Sequence, residues 1–316
     1  MITQQKYQGE GDKQRMIELA VATQAENIHF IDLPYRLSSW ALDETENIGL
    51  WVDGRGQLAA WAVMQSPFWT VDCVIRPDSF RSGYRQILEW VNKRSTNLLN
   101  TDYGHPCWFM NAFPQQGERR QALEQAGYVC QAYLPKDAWS SVWMELERIK
   151  QIPTYHLAEG FTFRPLGGPG EVDAYVELHQ AVFETKNMTS DWRGRTLQQP
   201  VHKPELDMVA VAPDGKLVAF CIGWLGTDRQ GNLVGQIEPL GCHADYRKFG
   251  LGRQVLCETL KRLRQYGAGN IYVETDDFRS AAFHLYQGIG FEVVNQVLVY
   301  RKDVGEPVTV DDMVNQ

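Results

Sequence analysis

The sequence predicts an α/β protein of the α+β type, built as two domains that each contain a mixed sheet. The chain has 316 residues, which is the length of about two ordinary domains. In the second half, three consecutive strand-like segments lie between helical segments, an order that favours a mixed sheet over a purely parallel one. The composition, with 44% hydrophobic and 22% charged residues, is typical of a soluble globular protein.

The elements of the second half are predicted from hydrophobic periodicity and turn signals. Pro213-Asp214-Gly215 indicates a hairpin turn between two strands. One face of the longest helix carries apolar residues at helical spacing: Leu251, Val255, Leu256, Leu260 and Leu263. In order, we predict a strand at 160–165, helices at 170–183 and 189–198, strands at 206–212, 216–225 and 232–243, a helix at 250–266, a strand at 269–275, a helix at 279–289 and one or two strands across 291–302.

The first half repeats this order weakly, which indicates an internal duplication. Ile75 aligns with Cys242 at an offset of 167 residues and Gly127 with Gly290 at an offset of 163, both close to half of the chain. The elements predicted there are helices at 11–23 and 33–41, strands at 46–52, 57–65 and 69–76, a helix at 80–98, a strand at 106–112, a helix at 117–126 and further strands.

A short polar connection, from Arg148 to His156, separates the two halves and precedes a new strand pattern at Phe161. We therefore place the domains at 1–148 and 149–316.

Charge and cysteine usage argue against several classes of function. The net charge is −8 and the pI is about 5.4, so nucleic-acid binding is not expected. The six cysteines form no CxxC pair, which favours reduced thiols in a cytoplasmic protein over disulfides or a metal site. No apolar run approaches the ~20 residues of a membrane span, and the amino terminus has no apolar signal core. We expect a monomer or homodimer with no nucleic-acid, membrane or metal partner.

The residues between the fourth strand of the second half and its long helix predict a phosphate-binding loop. They read Arg247-x-x-Gly250-x-Gly252, after a strand and at the start of a helix. The first amides of a helix have no intrahelical acceptor and carry partial positive charge, and glycines allow an anion to approach closely. The same pattern recurs from Arg264 to Gly269, but there it ends a helix, where the dipole is negative.

Two motifs of the second half resemble those of the GNAT superfamily of acyl-CoA-dependent N-acyltransferases. Cys242–Gly252 is similar to the family's strand and Gln/Arg-x-x-Gly-x-Gly/Ala loop, and Leu285-Tyr286-Gln-Gly-Ile-Gly290-Phe291 is similar to its second signature. The resemblance covers 160–302 through these motifs and 1–148 only as a fold. It implies two tandem GNAT-like domains, each a mixed, mostly antiparallel sheet with a splayed central strand pair, flanked by helices.

The resemblance also implies a site for acetyl-CoA as co-substrate. The loop amides would hold its pyrophosphate, and exposed backbone at the end of the preceding strand would hold its pantetheine arm. For the Cys242 side chain we favour core packing over a nucleophilic role. Arg279 stands where the family usually has asparagine. The residues implied in cofactor binding are Leu240, Cys242, Arg247, Lys248, Phe249, Gly250, Leu251, Gly252, Arg253 and Arg279.

The resemblance implies Tyr286 as the general acid, because a phenol can protonate a departing thiolate. Glu238, four residues before Cys242, is the candidate base for the acceptor amine, with Glu274 and His243 as alternatives. Three further residues lie where the family borders its acceptor cleft, in a segment that is equally well interpreted as a capped helix–helix turn: Glu184, Asp191 and Trp192.

The first half lacks this chemistry. Its matching loop at 77–84 has one glycine, followed by Tyr84, and Leu123 occupies the place of Tyr286. We predict a degenerate domain without a phosphate loop at 1–148 and an active domain at 149–316. The predicted function is transfer of an acetyl group from acetyl-CoA to a small-molecule or peptide amine, by direct attack in a ternary complex. The alternatives are a tandem enzyme similar to mycothiol synthase and a non-catalytic acyl-CoA-binding regulatory protein.

Overall fold

The computed structural model describes residues 2–148, 150–277 and 280–306, and the chain forms two compact units. Among the described residues, unit 1 comprises 2–143, 276–277 and 295–306, and unit 2 comprises 144–148, 150–275 and 280–294. None of the helices in these ranges is long and apolar enough to cross a membrane.

Unit 1 is built mainly from the first half of the chain. Its sheet runs antiparallel from the first to the fourth strand, and the long third helix packs against the third and fourth strands. The elements are β1 (Thr3–Gln5), α1 (Glu10–Ala22), α2 (Leu33–Arg36), β2 (Ile48–Val52), β3 (Leu58–Gln65), β4 (Thr70–Ile75), α3 (Phe80–Leu98), β5 (Cys107–Ala112), α4 (Gly117–Gln125), β6 (Val129–Cys130) and β7 (Ser141–Leu146).

Unit 2 is built mainly from the second half and has the same order of elements. The first four strands of its sheet are antiparallel neighbours, and the fifth is parallel to the fourth. The elements are β8 (Thr162–Pro165), α5 (Val172–Phe183), α6 (Ser190–Leu197), β9 (Asp207–Val211), β10 (Leu217–Thr227), β11 (Leu233–Cys242), α7 (Leu251–Gln265), β12 (Ile271–Asp276), α8 (Ser280–Gln287) and β13 (Glu292–Asp303).

Local signals in the sequence explain several boundaries. The Thr189 hydroxyl accepts a hydrogen bond from the Trp192 amide at 3.1 Å and thereby caps the start of α6. Gly215 has a φ of 87° in the β9–β10 turn, and Gly267 has a φ of 95° just after α7. Both positions require the left-handed conformation that glycine adopts without strain, as the turn and stop signals predict.

The second helix of unit 1 is shorter than the sequence predicts. In place of a helix over 33–41, α2 spans Leu33–Arg36 and a separate 3-10 turn follows at Trp40–Asp43. The Ser38 hydroxyl donates to the Pro34 carbonyl at 2.6 Å, and Ser39 has extended backbone. Serine side chains that bond locally to the main chain compete with helix continuation, which accounts for the break.

Each unit includes a strand segment from the other half of the sequence. In unit 1, β13 pairs antiparallel with β5, from Leu298↔Ala112 to Asp303↔Cys107. In unit 2, the end of β7 lies beside β12, where the Asn270 amide donates to the Glu145 carboxylate. The units therefore differ from the contiguous domains expected at 1–148 and 149–316. The catalytic roles assigned to those domains stay predictions.

Candidate active site

The central feature of unit 2 is the separation of β11 from β12. Among the described residues, the two parallel strands share only two register pairs, Gly235↔Ile271 and Gln236↔Tyr272. Beyond Gln236 the edge of β11 has no β12 partner, whereas its other edge stays paired with β10 as far as Ala219↔Cys242. Leu240 and Cys242 lie in this separated part and are partly exposed. An extended ligand could therefore pair with the main chain of these two residues at the edge of β11 that β12 leaves open.

The predicted phosphate loop follows directly after β11. Residues Ala244–Phe249 form a 3-10 turn, Gly250 has a φ of 68°, and α7 begins at Leu251, one residue later than predicted. No side chain caps this helix start. The amides of Leu251, Gly252 and Arg253 have no main-chain acceptor among the described residues, and the Gly252 amide contacts the Cys242 thiol. The helix start therefore offers main-chain donors to an anion.

The two glycines of the loop are needed for different reasons. Gly250 is left-handed, a conformation that disfavours any side chain. Gly252 lies in regular helix, and a Cβ added there would meet Cys242 Cβ at 3.5 Å, an ordinary contact. The fold therefore requires Gly250 but not Gly252. Close approach of a ligand to the helix start would explain the second glycine.

The charged side chains of the loop point to different neighbours. Arg247 Nε donates to the Cys242 carbonyl at 3.3 Å, which ties the loop to the end of β11. A guanidinium nitrogen of Arg253 donates to the Gly288 carbonyl at 2.8 Å, just after α8. Lys248 Nζ lies 5.3 Å from the ring centroid of Phe249. Arg279, the tenth residue implied in cofactor binding, lies outside the described residues.

Tyr286 lies on α8 and is 6% exposed, with its ring packed edge-on against Phe291 at 5.5 Å between centroids. Burial, followed by the nearby Cys221 and Glu238, raises the pKa of Tyr286 well above 10. The phenol is therefore protonated at neutral pH and can donate a proton. Within the described part of the chain its hydroxyl makes no hydrogen bond. The structure thus brings Tyr286 and Glu238 within electrostatic range of each other.

Glu238 lies at an irregularity of β11. Cys221 pairs with Leu240 but Gly223 pairs with Ile237, so Glu238 and Pro239 together face a single residue of β10. Such a bulge redirects side chains from the regular alternation of a strand. The Trp224 indole donates to the Glu238 carbonyl at 2.7 Å and fixes this part of the strand.

The alternatives named from the sequence occupy distinct places. Glu274 lies on β12 and is partly buried. His243 accepts a hydrogen bond from the Asp245 amide at 3.3 Å and thereby caps the 3-10 turn. Burial raises the pKa of the Cys242 thiol, although the Gly252 amide and Arg247 oppose this effect. A raised pKa is the opposite of what an activated nucleophile needs, which agrees with a packing role for Cys242.

The three candidate acceptor residues do not form one group. Trp192 is 1% exposed and belongs to the core of unit 2, whereas Glu184 and Asp191 are exposed on the surface. Glu184 has a φ of 53° and ends α5. The structure therefore supports the interpretation of this segment as a capped helix–helix turn.

A buried polar cluster of unit 2 was missed at the sequence level. Arg193 donates to Asp207 at 2.5 Å, and His202 Nε2 lies 2.9 Å from the same carboxylate oxygen. The Arg193 guanidinium also lies 3.8 Å from the ring centroid of Tyr175, whose pKa is raised by burial and, among other groups, by Glu238. These residues come from α5, α6 and β9, and no short motif joins them. The only hint in the sequence is an aspartate at the start of a fully apolar strand.

In unit 1 the matching helix start, at α3, is packed by side chains. A Cβ on Gly83 would lie 2.4 Å from Ile2 Cδ1, so a side chain there would displace the end of the Ile2 side chain. Tyr84 is 2% exposed and stacks on Phe80, and Leu123 is fully buried in the core. Among the described residues of both units, no cluster of three or more His, Cys, Asp or Glu side chains could hold a metal ion.

Comparison with known proteins agrees with this geometry. Residues 172–291 match the acetyltransferase (GNAT) family, and this segment contains both the loop after β11 and Tyr286. In sequence, this segment is therefore similar to a GNAT domain. One curated relative is a mycothiol acetyltransferase of Thermobispora bispora, 24% identical over 156 residues, which are 48% of this chain and 53% of that protein. The chain thus spans about half the length of that relative.

Two solved structures match almost the whole chain. A GCN5-related N-acetyltransferase of Sphaerobacter thermophilus has a TM-score of 0.64 and 18% identity, with 98% of each chain covered. A tandem GNAT protein of the clavulanic acid biosynthesis pathway has a TM-score of 0.63 and 11% identity, with 98% of this chain and 100% of that chain covered. The predicted fold, two tandem GNAT-like domains, is therefore confirmed.

Proposed function

We propose that the protein is an N-acetyltransferase that transfers an acetyl group from acetyl-CoA to an amine. The observation that supports this most is the arrangement in unit 2: a strand separated from its neighbour, followed by a helix start with unpaired amides and flanked by a buried tyrosine. The match of residues 172–291 to the GNAT family supports the same reaction class.

In this proposal the chain's own residues bind and orient the co-substrate. The amides of Leu251, Gly252 and Arg253 hold the pyrophosphate, and the main chain at Leu240 and Cys242 holds the pantetheine arm. Both reactants then lie in one site, and proximity supplies much of the rate enhancement.

Proton transfer is assigned to two residues. Glu238 removes a proton from the acceptor ammonium, directly or through a water, so that the amine nitrogen can attack the thioester carbonyl carbon. As the carbon–sulfur bond breaks, Tyr286 gives its proton to the sulfur, and the second proton lost by the attacking nitrogen restores the phenol, while Glu238 releases its proton to solvent. The raised pKa of Tyr286 keeps the phenol proton in place until sulfur charge develops. The products are the N-acetylated amine and free CoA.

The proposal includes the location, the oligomeric state and the partners of the enzyme. We infer a cytoplasmic monomer or homodimer that acts on a small-molecule or peptide amine and binds neither nucleic acid nor membrane. The net charge of −8 supports the absence of nucleic-acid binding. The six cysteines, all among the described residues, form no disulfide, in line with a reducing compartment.

The test is the substitution Tyr286→Phe in the full chain. We expect kcat to fall by roughly ten- to a thousand-fold while the Kd for acetyl-CoA changes little, because only the proton donor is removed. Tyr266→Phe, at a 41% exposed position, is the matched control and should leave kcat unchanged. Glu238→Gln in the same assay reports on the base. Unchanged turnover in Tyr286→Phe would exclude the assigned acid, and absence of turnover by the wild-type protein with a broad amine panel would favour the acyl-CoA-binding regulatory alternative.

A second candidate reaction is that of a mycothiol acetyltransferase, which the name of the Thermobispora bispora relative favours. Under this alternative the acceptor is a thiol-bearing sugar amine. The kcat/KM values for such an acceptor, for simple amines and for peptide amino termini distinguish it from the general proposal.

A further inference from the structure

Unit 1 contains two adjoining cavities where its own central strands separate. Among the described residues, β4 and β5 share a single register pair, Thr70↔Phe109. An inner cavity of about 40 Å³ lies beside this gap, and an outer one of about 270 Å³ lies next to it. They share four lining residues: Glu26, Asn27, Gln116 and Arg119.

Arg119 lines both cavities and is 8% exposed. Among the described residues it has no carboxylate partner, and its buried Nε donates no hydrogen bond. Its guanidinium carbon lies 5.6 Å from the ring centroid of Tyr84, a contact that compensates burial only partly. A buried cation is costly unless an anion pairs with it.

The carboxylates in the cavity walls are engaged with other groups. Glu26 accepts from Gln116 at 2.8 Å, Glu118 pairs with Arg81 at 2.9 Å, and Asp72 pairs with Arg36 at 2.7 Å. Among the described residues, none of these carboxylates forms a salt bridge with Arg119, and Glu26 attracts its charge only at longer range.

The outer cavity also contains the start of α4. Gln116 precedes this helix without a side-chain cap, and the amides of Glu118 and Arg119 have no main-chain acceptor among the described residues. The amides at a helix start carry partial positive charge, so they attract an anion, as the guanidinium of Arg119 does. The opposite wall is apolar and consists of Ile75, Pro77 and Phe80.

We propose that unit 1 binds a small anionic molecule in the outer cavity. Its carboxylate or phosphate group pairs with Arg119 and with the first amides of α4, and its apolar part lies on Ile75, Pro77 and Phe80. The inner cavity has room for about two or three water molecules behind the anionic group. This site is separate from the acetyl-CoA site proposed for unit 2, and its test does not depend on turnover.

The experiment titrates the full chain with benzoate, phenyl phosphate and uncharged benzamide, in the presence of saturating acetyl-CoA. We expect benzoate or phenyl phosphate to bind saturably, and benzamide to bind about tenfold more weakly or worse, because a charge-assisted pair is lost. Arg119→Gln should weaken the anion by about tenfold or more. Arg85→Gln, which removes the same charge at an exposed site on α3, should leave binding unchanged.

Crystals of the full chain soaked in 4-bromobenzoate give a second readout, which stands even where Arg119→Gln fails to fold. The bromine should lie against the wall formed by Ile75, Pro77 and Phe80. Benzoate and phenyl phosphate report separately on carboxylate and phosphate ligands, and saturable binding of either supports the site. Equal binding of benzamide, full binding by Arg119→Gln, no saturable binding of either anion, or a bromine found only elsewhere would overturn it.

Discussion

Arg193 and Asp207 form a buried ion pair in unit 2. The two side chains are 0% and 1% exposed, and His202 contacts the same carboxylate. Burial alone would raise the pKa of Asp207, but Arg193 and His202 outweigh it and hold this pKa below its usual value. A carboxyl group whose pKa is lowered by folding stabilises the folded state in its ionised form.

We predict that Asp207→Asn lowers the free energy of unfolding by about 3–5 kcal/mol at neutral pH, because Arg193 is left buried without its counter-ion. The wild-type advantage is fully present above the unfolded-state pKa of about 3.9 and is lost as the pH falls through the lower folded-state pKa. Urea unfolding between pH 7 and pH 3 measures both effects. Asp214→Asn, in an exposed turn, is the control, and a loss equally small in both variants would contradict the prediction.

At this scale the sequence predicts residues that belong to compact motifs and misses those that do not. Gly250 and Tyr286 each lie in a short signature with a defined structural context, and both occupy the expected elements. Arg193 and Asp207 are 14 residues apart on different elements, so no local pattern connects them. Their pairing depends on tertiary packing, which periodicity does not report.

The turn between β11 and α7 is the element in which fold and ligand requirements can be separated. Gly250 is left-handed, and Gly252 is in ordinary helical conformation with space for a methyl group. The pattern of glycines predicts this loop but does not distinguish the two roles, since both depend on backbone angles and on neighbours that only the structure provides.

We predict opposite effects for the two alanine substitutions. Gly250→Ala should destabilise the protein by about 1–2 kcal/mol, because alanine is strained at positive φ. Gly252→Ala should preserve or raise stability, since alanine is favoured over glycine in a helix by about 1 kcal/mol, yet it should weaken acetyl-CoA binding about tenfold. Thermal unfolding and calorimetric titration measure the two properties. Undiminished acetyl-CoA affinity in Gly252→Ala would argue against the phosphate cradle.

At the scale of the whole molecule, the main departure from the sequence-based picture is the exchange of strand segments. Residues 295–306 belong to unit 1, and 144–148 belong to unit 2. Apolar periodicity predicts strands across 291–302, but it does not identify the partner strand. The exchange follows from long-range pairing, such as Tyr300↔Met110, which a single sequence does not encode locally.

We predict that a chain cut once in the connection at 151–158 stays in one piece under native conditions. The carboxy-terminal fragment supplies β13 to unit 1, and β5 would otherwise keep an open edge. Size-exclusion chromatography before and after adding urea, with a protease site inserted in this connection, measures the association. The control is a chain that ends at residue 294 and is cut at the same place. Its two fragments should lose much of their association. Fragments of the longer chain that separate without denaturant would contradict the prediction.

The exchange also bears on how such a gene can change over generations. After a duplication, a domain copy without catalytic activity can normally be deleted. Deleting the first half would remove residues 144–148, which belong to unit 2. It would also remove β5, the strand with which β13 pairs. If the first half has lost its chemistry, as the sequence predicts, its deletion would still remove part of the architecture of the second half.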